Sequence, residues 1–183
     1  MMKLHIIHDY KNIYPDLRGK ELTDALVRDC LGIKDAVIER TEKGKPYVRV
    51  PEDSGNMAPF ISVSHDGDTF ALLVSDSEAG LDRQYARGIQ TDRIAARYFT
   101  AEEAEQTAGD ETADRFFELW TRKEAYSKYI GTGLEQIMRK EQVLDRDDVR
   151  FTDIRLEDGA FCAVCTGKEE GDQSDEIQIS YGE

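Results

Sequence analysis

Three short segments of this 183-residue chain carry side chains that could act together on a charged small molecule. The longest runs Phe117-Glu-Leu-Trp-Thr-Arg-Lys-Glu-Ala-Tyr-Ser-Lys-Tyr-Ile-Gly-Thr-Gly-Leu134. On a helix, Trp120, Glu124 and Lys128 lie four residues apart along one side, so a carboxylate and an ammonium can address the same object. The same Glu–Lys spacing also occurs merely to stabilise an exposed helix, by about 0.3–0.5 kcal/mol, and the residues alone leave both readings open. The second segment is Ala79-Gly-Leu-Asp-Arg-Gln84. At a strand end, Asp82 and Gln84 face one side and Leu81 the other. A carboxylate so placed can ligate Mg²⁺, which takes one or two carboxylates together with waters and phosphate oxygens. A simple turn or edge role fits Asp82 as well. The third segment, Phe60-Ile-Ser-Val-Ser-His-Asp-Gly-Asp68, runs an apolar strand into Ser64 and His65, where an imidazole can donate to a phosphate oxygen or satisfy a local hydrogen bond. His5 and His8 flank the first strand without an evident partner and read as structural.

The elements that must hold these residues follow from periodicity and punctuation. Residues 3–7 read as a strand and 20–31 as an amphipathic helix with Leu22, Ala25, Leu26 and Cys30 on one face, stopped by Gly32. Two strands over 36–41 and 46–50 are joined by Glu-Lys-Gly-Lys-Pro, and a looser stretch follows from Pro51 to Pro59. Strand-like runs cover Phe60–Ser64, Thr69–Val74 and Ala79–Asp82. Beyond Gly88 the pattern turns helical, with Thr91 or Asp92 as a cap for a helix through Tyr98 and Thr100-Ala-Glu-Glu as a capping box. Residues 112–130 form the longest helix, closed by Gly131 and Gly133, and strands return over 149–156, 160–166 and 176–181. Strands and helices mix without regular βαβ alternation, which predicts an α+β fold with largely antiparallel sheets.

Composition narrows the function. Apolar residues make up 39% and charged residues 34%, the balance of a globular protein and not of a disordered one. No apolar run approaches the roughly 20 residues of a membrane span, and the polar start does not read as a signal peptide, so the expectation is a cytoplasmic protein with no membrane partner. A net charge of −14 argues against nucleic acid as a partner. Cys162 and Cys165 form a C-x-x-C, yet residues three apart in a strand point to opposite faces. With no second such pair, the expectation is buried free thiols.

It is the order of the motifs that discriminates. Gly44-Lys-Pro46, then Ser64-His65, then Gly80-Leu-Asp82, then Trp120-Thr-Arg-Lys-Glu124 with Lys128 and Gly131-Thr-Gly133 resembles the 4′-phosphopantetheinyl transferases, most closely the surfactin-synthetase type and also the holo-acyl-carrier-protein synthases. The resemblance covers about residues 18–166 and takes in Ile94–Glu103 and the late strand Phe161–Cys165. It implies two similar α+β halves related by a pseudo-twofold, here 1–88 and 89–183, with the site between them in a monomer. It implies coenzyme A as co-substrate, Mg²⁺ on its pyrophosphate, transfer of phosphopantetheine to a serine of an acyl or peptidyl carrier protein, and release of 3′,5′-ADP. Carried over residue by residue, Asp82 and Glu124 would hold the metal, with Gln84 beside them. Ser64, His65 and Lys128 would contact phosphate, Lys123 would add a further cation, and Lys45 would reach coenzyme A nearer its nucleotide end. The catalytic residues would be Glu124 and Lys128, with Glu124, a metal-bound water and Lys128 all open as the base.

Two departures stand out. Many relatives have Asp-x-Glu where this chain has Asp82-Arg-Gln84, which removes one negative charge from the metal. Longer relatives also carry a basic N-terminal segment that grips the 3′-phosphate; here Arg18 or Lys20 would have to substitute. These departures motivate an alternative, a degenerate member that binds coenzyme A or a carrier without catalysis. Carrier recognition would fall to Arg87, Arg93 and Arg97, since carriers commonly present an acidic face.

Overall fold

The structure, a computed structural model, describes residues 1–50, 57–133, 140–168 and 176–182. Most of the looser stretch expected after Pro51, and Leu134 of the longest segment, lie outside them. By contacts the chain divides into two compact units, Met1–Glu78 with Gln173–Glu183, and Ala79–Asp172. The division falls just before the Gly-Leu-Asp strand, where the sequence places it after residue 88, and it returns the last strand to the first unit.

In the first unit, β4 (Phe60–Asp66), β5 (Thr69–Ser75), β1 (Met2–His8) and β9 (Ile177–Gly182) form one sheet in that order. β4 and β1 run antiparallel to β5, whereas β9 lies parallel to β1, the one departure from the antiparallel expectation among the described strands. The two histidines of β1 find partners across this sheet: His5 Nδ1 lies 3.0 Å from Ser180 Oγ, and His8 Nδ1 lies 3.0 Å from Thr69 Oγ1. Sequence alone could not supply these partners, because both are distant in the chain.

A short turn of helix, α1 (Tyr10–Ile13), follows β1, and α2 (Gly19–Leu31) carries Leu22, Leu26 and Val27 into a core with Ile7, Ile38, Val48, Ile61, Phe70 and Leu72. Each such side chain contributes about 1.5–3 kcal/mol on burial. Gly32 ends α2 at φ 66°, its N–H reaching the carbonyls of Arg28 and Asp29, a conformation glycine adopts without steric cost. A hairpin of β2 (Val37–Arg40) and β3 (Pro46–Arg49) completes the unit, its turn closed by Thr41 and Lys45.

In the second unit, β6 (Ala79–Gln84), β8 (Phe161–Gly167) and β7 (Val149–Arg155) form an antiparallel sheet in that order. The helix α5 (Asp114–Tyr129) packs on it with Phe116, Phe117, Leu119, Ala125 and Tyr126 buried. Two shorter helices precede it, α3 (Thr91–Tyr98) and α4 (Ala101–Thr107). The capping box of α4 is present as read: Thr100 Oγ1 accepts from Glu103 N–H, and the Glu103 carboxylate accepts from Thr100 N–H. The cap of α3 is not. Gln90 holds that position without a side-chain bond, and Thr91 and Asp92 lie inside the helix.

Cys162 and Cys165 are buried free thiols, and burial, reinforced by the charge of Asp82, pushes Cys162 up to about 12. The fold is thus α+β with antiparallel sheets and one parallel edge. No helix among the described residues is long and apolar enough to cross a membrane.

Candidate active site

The second unit brings the two acidic motifs together through a glycine. A Cβ at Gly80 would lie 2.0 Å from the carbonyl oxygen of Ala125 and 2.4 Å from the backbone nitrogen of Tyr129, so α5 sits directly on the β6 backbone there. That is a close approach only glycine allows. It sets the residues two positions on in β6 against those flanking Ala125 and Tyr129 in α5. Asp82, buried at 2% exposure, is in consequence ion-paired through Oδ1 with Lys128 Nζ at 2.7 Å.

Gln84 joins the group from the same side of the strand, its Nε2–H donating to Asp82 Oδ2 at 3.1 Å. Its amide oxygen lies 3.5 Å from Arg87 Nη2. In this arrangement Gln84 orients the Asp82 carboxylate. Glu124 completes the cluster: burial and then the neighbouring charge of Asp82 raise its carboxyl to about 7, against a smaller opposing effect of Lys128. Two carboxylates forced to share a partly desolvated site hold a proton more tightly than either would alone.

This donor set fits a hard divalent cation. Among the described residues no group of three or more His, Cys, Asp or Glu could hold a metal. Two protein carboxylates are nevertheless the complement Mg²⁺ uses when water and substrate phosphate supply the rest. Asp82 and Glu124 are the residues that would hold it.

Lys123 does not belong to this cluster. Its side chain is 1% exposed, ion-paired with the buried Glu103 at 2.7 Å, and it donates to the Glu141 carbonyl at 2.5 Å. Glu103 also accepts from Val143 N–H, so the pair ties α4, α5 and the segment near 141–143 into one core. One residue of helical offset turns Lys123 by about 100° from Glu124, which sends its ammonium into the protein. Buried and paired in this way, Lys123 does not present the further cation expected at the coenzyme A site.

The remaining sequence-marked residues lie in the first unit. Ser64 is buried near the end of β4, and His65 is exposed beside the Tyr10 ring, centroids 6.3 Å apart. Lys45 is half-buried at the hairpin turn and pairs with Glu78. His65 and Gly44 line a cavity of about 400 Å³ together with Tyr10, Lys20 and Arg40.

Arg40 was missed from sequence. Its Nη2 pairs with the buried Asp24 at 2.7 Å, while its Nη1 is buried with no hydrogen-bond partner among the described residues. Asp24, an acid set between Leu22 and Leu26 in the buried part of α2, was the available clue, because a buried carboxylate requires a cation. No acid lines that cavity, in a chain of net charge −14.

A buried carboxylate, a half-buried one and an adjacent ammonium thus stand together on a close-packed strand and helix of an α+β unit. Comparison with known proteins then makes the assignment: the 4′-phosphopantetheinyl transferase superfamily matches residues 78–181, more than half of the chain, and the chain belongs to that superfamily. It is 32% identical over 130 residues to the 4′-phosphopantetheinyl transferase psf-1 of Bacillus pumilus, an alignment covering 65% of this chain and 52% of that protein. It is 33% identical over 130 residues to the 4′-phosphopantetheinyl transferase AcpT of Escherichia coli K12, covering 68% and 63%. To the 4′-phosphopantetheinyl transferase gsp of Aneurinibacillus migulanus it is 28% identical over 129 residues, covering 68% and 51%. The chain thus spans about half the length of the first of these curated relatives.

Proposed function

We propose that this chain transfers the 4′-phosphopantetheine group of coenzyme A to a serine hydroxyl of an acyl or peptidyl carrier protein, releasing 3′,5′-ADP, in a Mg²⁺-dependent reaction. The observation that carries the reading is the Asp82–Lys128–Glu124 cluster in a member of this superfamily. The serine oxygen forms a bond to the phosphorus bearing pantetheine, the bond from that phosphorus to the oxygen of 3′,5′-ADP breaks, and the hydroxyl proton passes to a base.

Bound Mg²⁺ would supply charge neutralisation on the pyrophosphate and on the leaving group. The chain's own residues divide the remaining work. Asp82 and Glu124 hold the ion, and Gln84 fixes the Asp82 carboxylate. Lys128 contacts a phosphate oxygen, and Glu124, directly or through a water, takes up the serine proton. In the first unit, Ser64 and His65 contact phosphate and Lys45 the nucleotide end. The acid-free cavity with Lys20 and Arg40 receives the 3′-phosphate. The reading places the protein in the cytoplasm, as a monomer of two related halves, with carrier recognition on Arg87, Arg93 and Arg97.

The test is to incubate the protein with coenzyme A, Mg²⁺ and an apo carrier protein and weigh the carrier by intact-mass spectrometry. A gain of one phosphopantetheine that vanishes with EDTA and in Glu124→Ala is expected. A second reading, a member that binds coenzyme A or a carrier without transfer, is favoured by Gln84, an amide that brings no negative charge to the side of Asp82. No mass gain across several carriers, together with tight coenzyme A binding, would select it.

A further inference from the structure

Both oxygens of Asp82 are engaged within the protein. Oδ1 is held by Lys128 Nζ at 2.7 Å and Oδ2 accepts from Gln84 Nε2 at 3.1 Å. The two ends of the ion pair differ in freedom: the Asp82 side chain is 2% exposed, and that of Lys128 is 26% exposed. We propose that Lys128 and Gln84 are specificity-determining residues that make the site accept a divalent cation only together with a pyrophosphate ligand, and discriminate against the free cation. The inference rests on the proposed coenzyme A reading and adds to it a linkage between the two ligands.

The physical argument starts from the buried carboxylate. An ionised Asp82 out of water requires a cation, and breaking such a pair without replacement is costly. Lys128 is that cation in the protein alone. A divalent ion entering by itself would displace the ammonium from Oδ1 while leaving it a few ångströms away, cation beside cation. The carboxylates of Asp82 and Glu124 and the ammonium of Lys128 sum to one negative charge, so the free ion leaves the site with a net positive charge.

A pyrophosphate arriving with the ion supplies the missing anionic charge and gives the ammonium a new acceptor. Lysine suits this exchange, being a point charge on a flexible four-carbon stem with three rotatable donors. Gln84 sharpens the effect, because an amide donor stabilises Asp82 without adding the charge that would hold a free ion. By linkage, the factor by which coenzyme A tightens the cation equals the factor by which the cation tightens coenzyme A.

The experiment titrates Mn²⁺ into the metal-free full chain, following free Mn²⁺ by electron paramagnetic resonance, with and without saturating coenzyme A and with no carrier present. Mn²⁺ held by coenzyme A in buffer is measured separately and subtracted. For wild type, coenzyme A should tighten Mn²⁺ by about tenfold or more, a magnitude typical of coupled sites. In Lys128→Met, Mn²⁺ alone should bind about tenfold tighter than in wild type, and the coenzyme A enhancement should shrink to roughly threefold or less. Should Lys128→Met fail to fold by circular dichroism, Lys128→Gln and Gln84→Met provide the same reading, each expected to bind Mn²⁺ alone more tightly than wild type.

Mn²⁺ binding in the variants that is no tighter than in wild type overturns the inference. Wild-type Mn²⁺ affinity that is the same with and without coenzyme A, in a chain that still modifies a carrier, overturns it too and leaves the transferase reading intact. No Mn²⁺ binding by wild type even with coenzyme A overturns both.

Discussion

Replacing Gly80 by alanine adds a single methyl group yet should disable the site. The added Cβ would stand 2.0 Å from Ala125 O and 2.4 Å from Tyr129 N, both backbone atoms that no side-chain rotation can move. An ordinary carbon–oxygen approach is about 3.3 Å, so α5 and β6 must separate by roughly 1 Å or more. Asp82 lies two residues along β6, and Glu124 and Lys128 flank the contact on α5. The flexible Lys128 stem can follow such a shift, but the placement of Asp82 against the shorter Glu124 side chain would be displaced by a similar distance.

Overpacking of this kind costs about 1–3 kcal/mol in stability. A 1 Å misplacement of catalytic groups costs on the order of 100-fold in rate. The assay is kcat/KM for carrier modification beside thermal unfolding, with Gly167→Ala as comparison. At Gly167 a Cβ would meet the Tyr129 hydroxyl at 2.8 Å, the far end of a side chain that can move aside, so a mild effect is expected. A Gly80→Ala protein with kcat/KM within about threefold of wild type would refute the reasoning, because the close approach would then not be setting the geometry.

Gln84→Glu should add a second acid beside Asp82 and lower the Mg²⁺ concentration for half-maximal activity, read by Mg²⁺ titration at fixed coenzyme A; an unchanged requirement would separate Gln84 from the metal. Glu103→Gln should destabilise the fold by about 3–5 kcal/mol, since it strands the Lys123 ammonium in the core, and the urea midpoint should fall accordingly. Reversing Arg93 and Arg97, both exposed on α3, to glutamate should raise KM for an acidic carrier and leave coenzyme A affinity unchanged; equal KM would remove that surface from recognition.

His5 is held below its ordinary pKa by burial and then by Lys3, so the folded state disfavours its charged form. Its contribution is present above pH 6.5, the ordinary value, and is lost as pH falls from there toward the folded pKa. Stability should therefore decline on the acid side in wild type and less steeply in His5→Gln, measured as the unfolding midpoint between pH 7.5 and 5.

How much could be read in advance depended on how far apart the interacting residues lie in the chain. The helical spacing of Glu124 and Lys128, the Thr100–Glu103 capping box, the Gly32 stop and nearly every strand were legible, because each is fixed by residues within one or two turns of itself. The order of the motifs likewise pointed to the transferase superfamily. What the sequence could not state is who meets whom.

Lys123 and Lys128 are equally cationic on paper. Only the packing of α5 sends the first into a buried pair with Glu103 and the second to Asp82. Arg40 was overlooked because its partner Asp24 lies on another element, and the bond from the Gln84 amide to the Asp82 carboxylate appears only in the folded strand. Gly80 read as a motif residue, but its reason, a helix backbone where a Cβ would be, exists only once strand and helix are packed. The sequence by itself determined the local elements and the inventory of charges. Tertiary structure decided which charges are neutralised inside the protein and which stay partly exposed, because burial and distance, which set the strength of every charge–charge interaction, are properties of the packed chain.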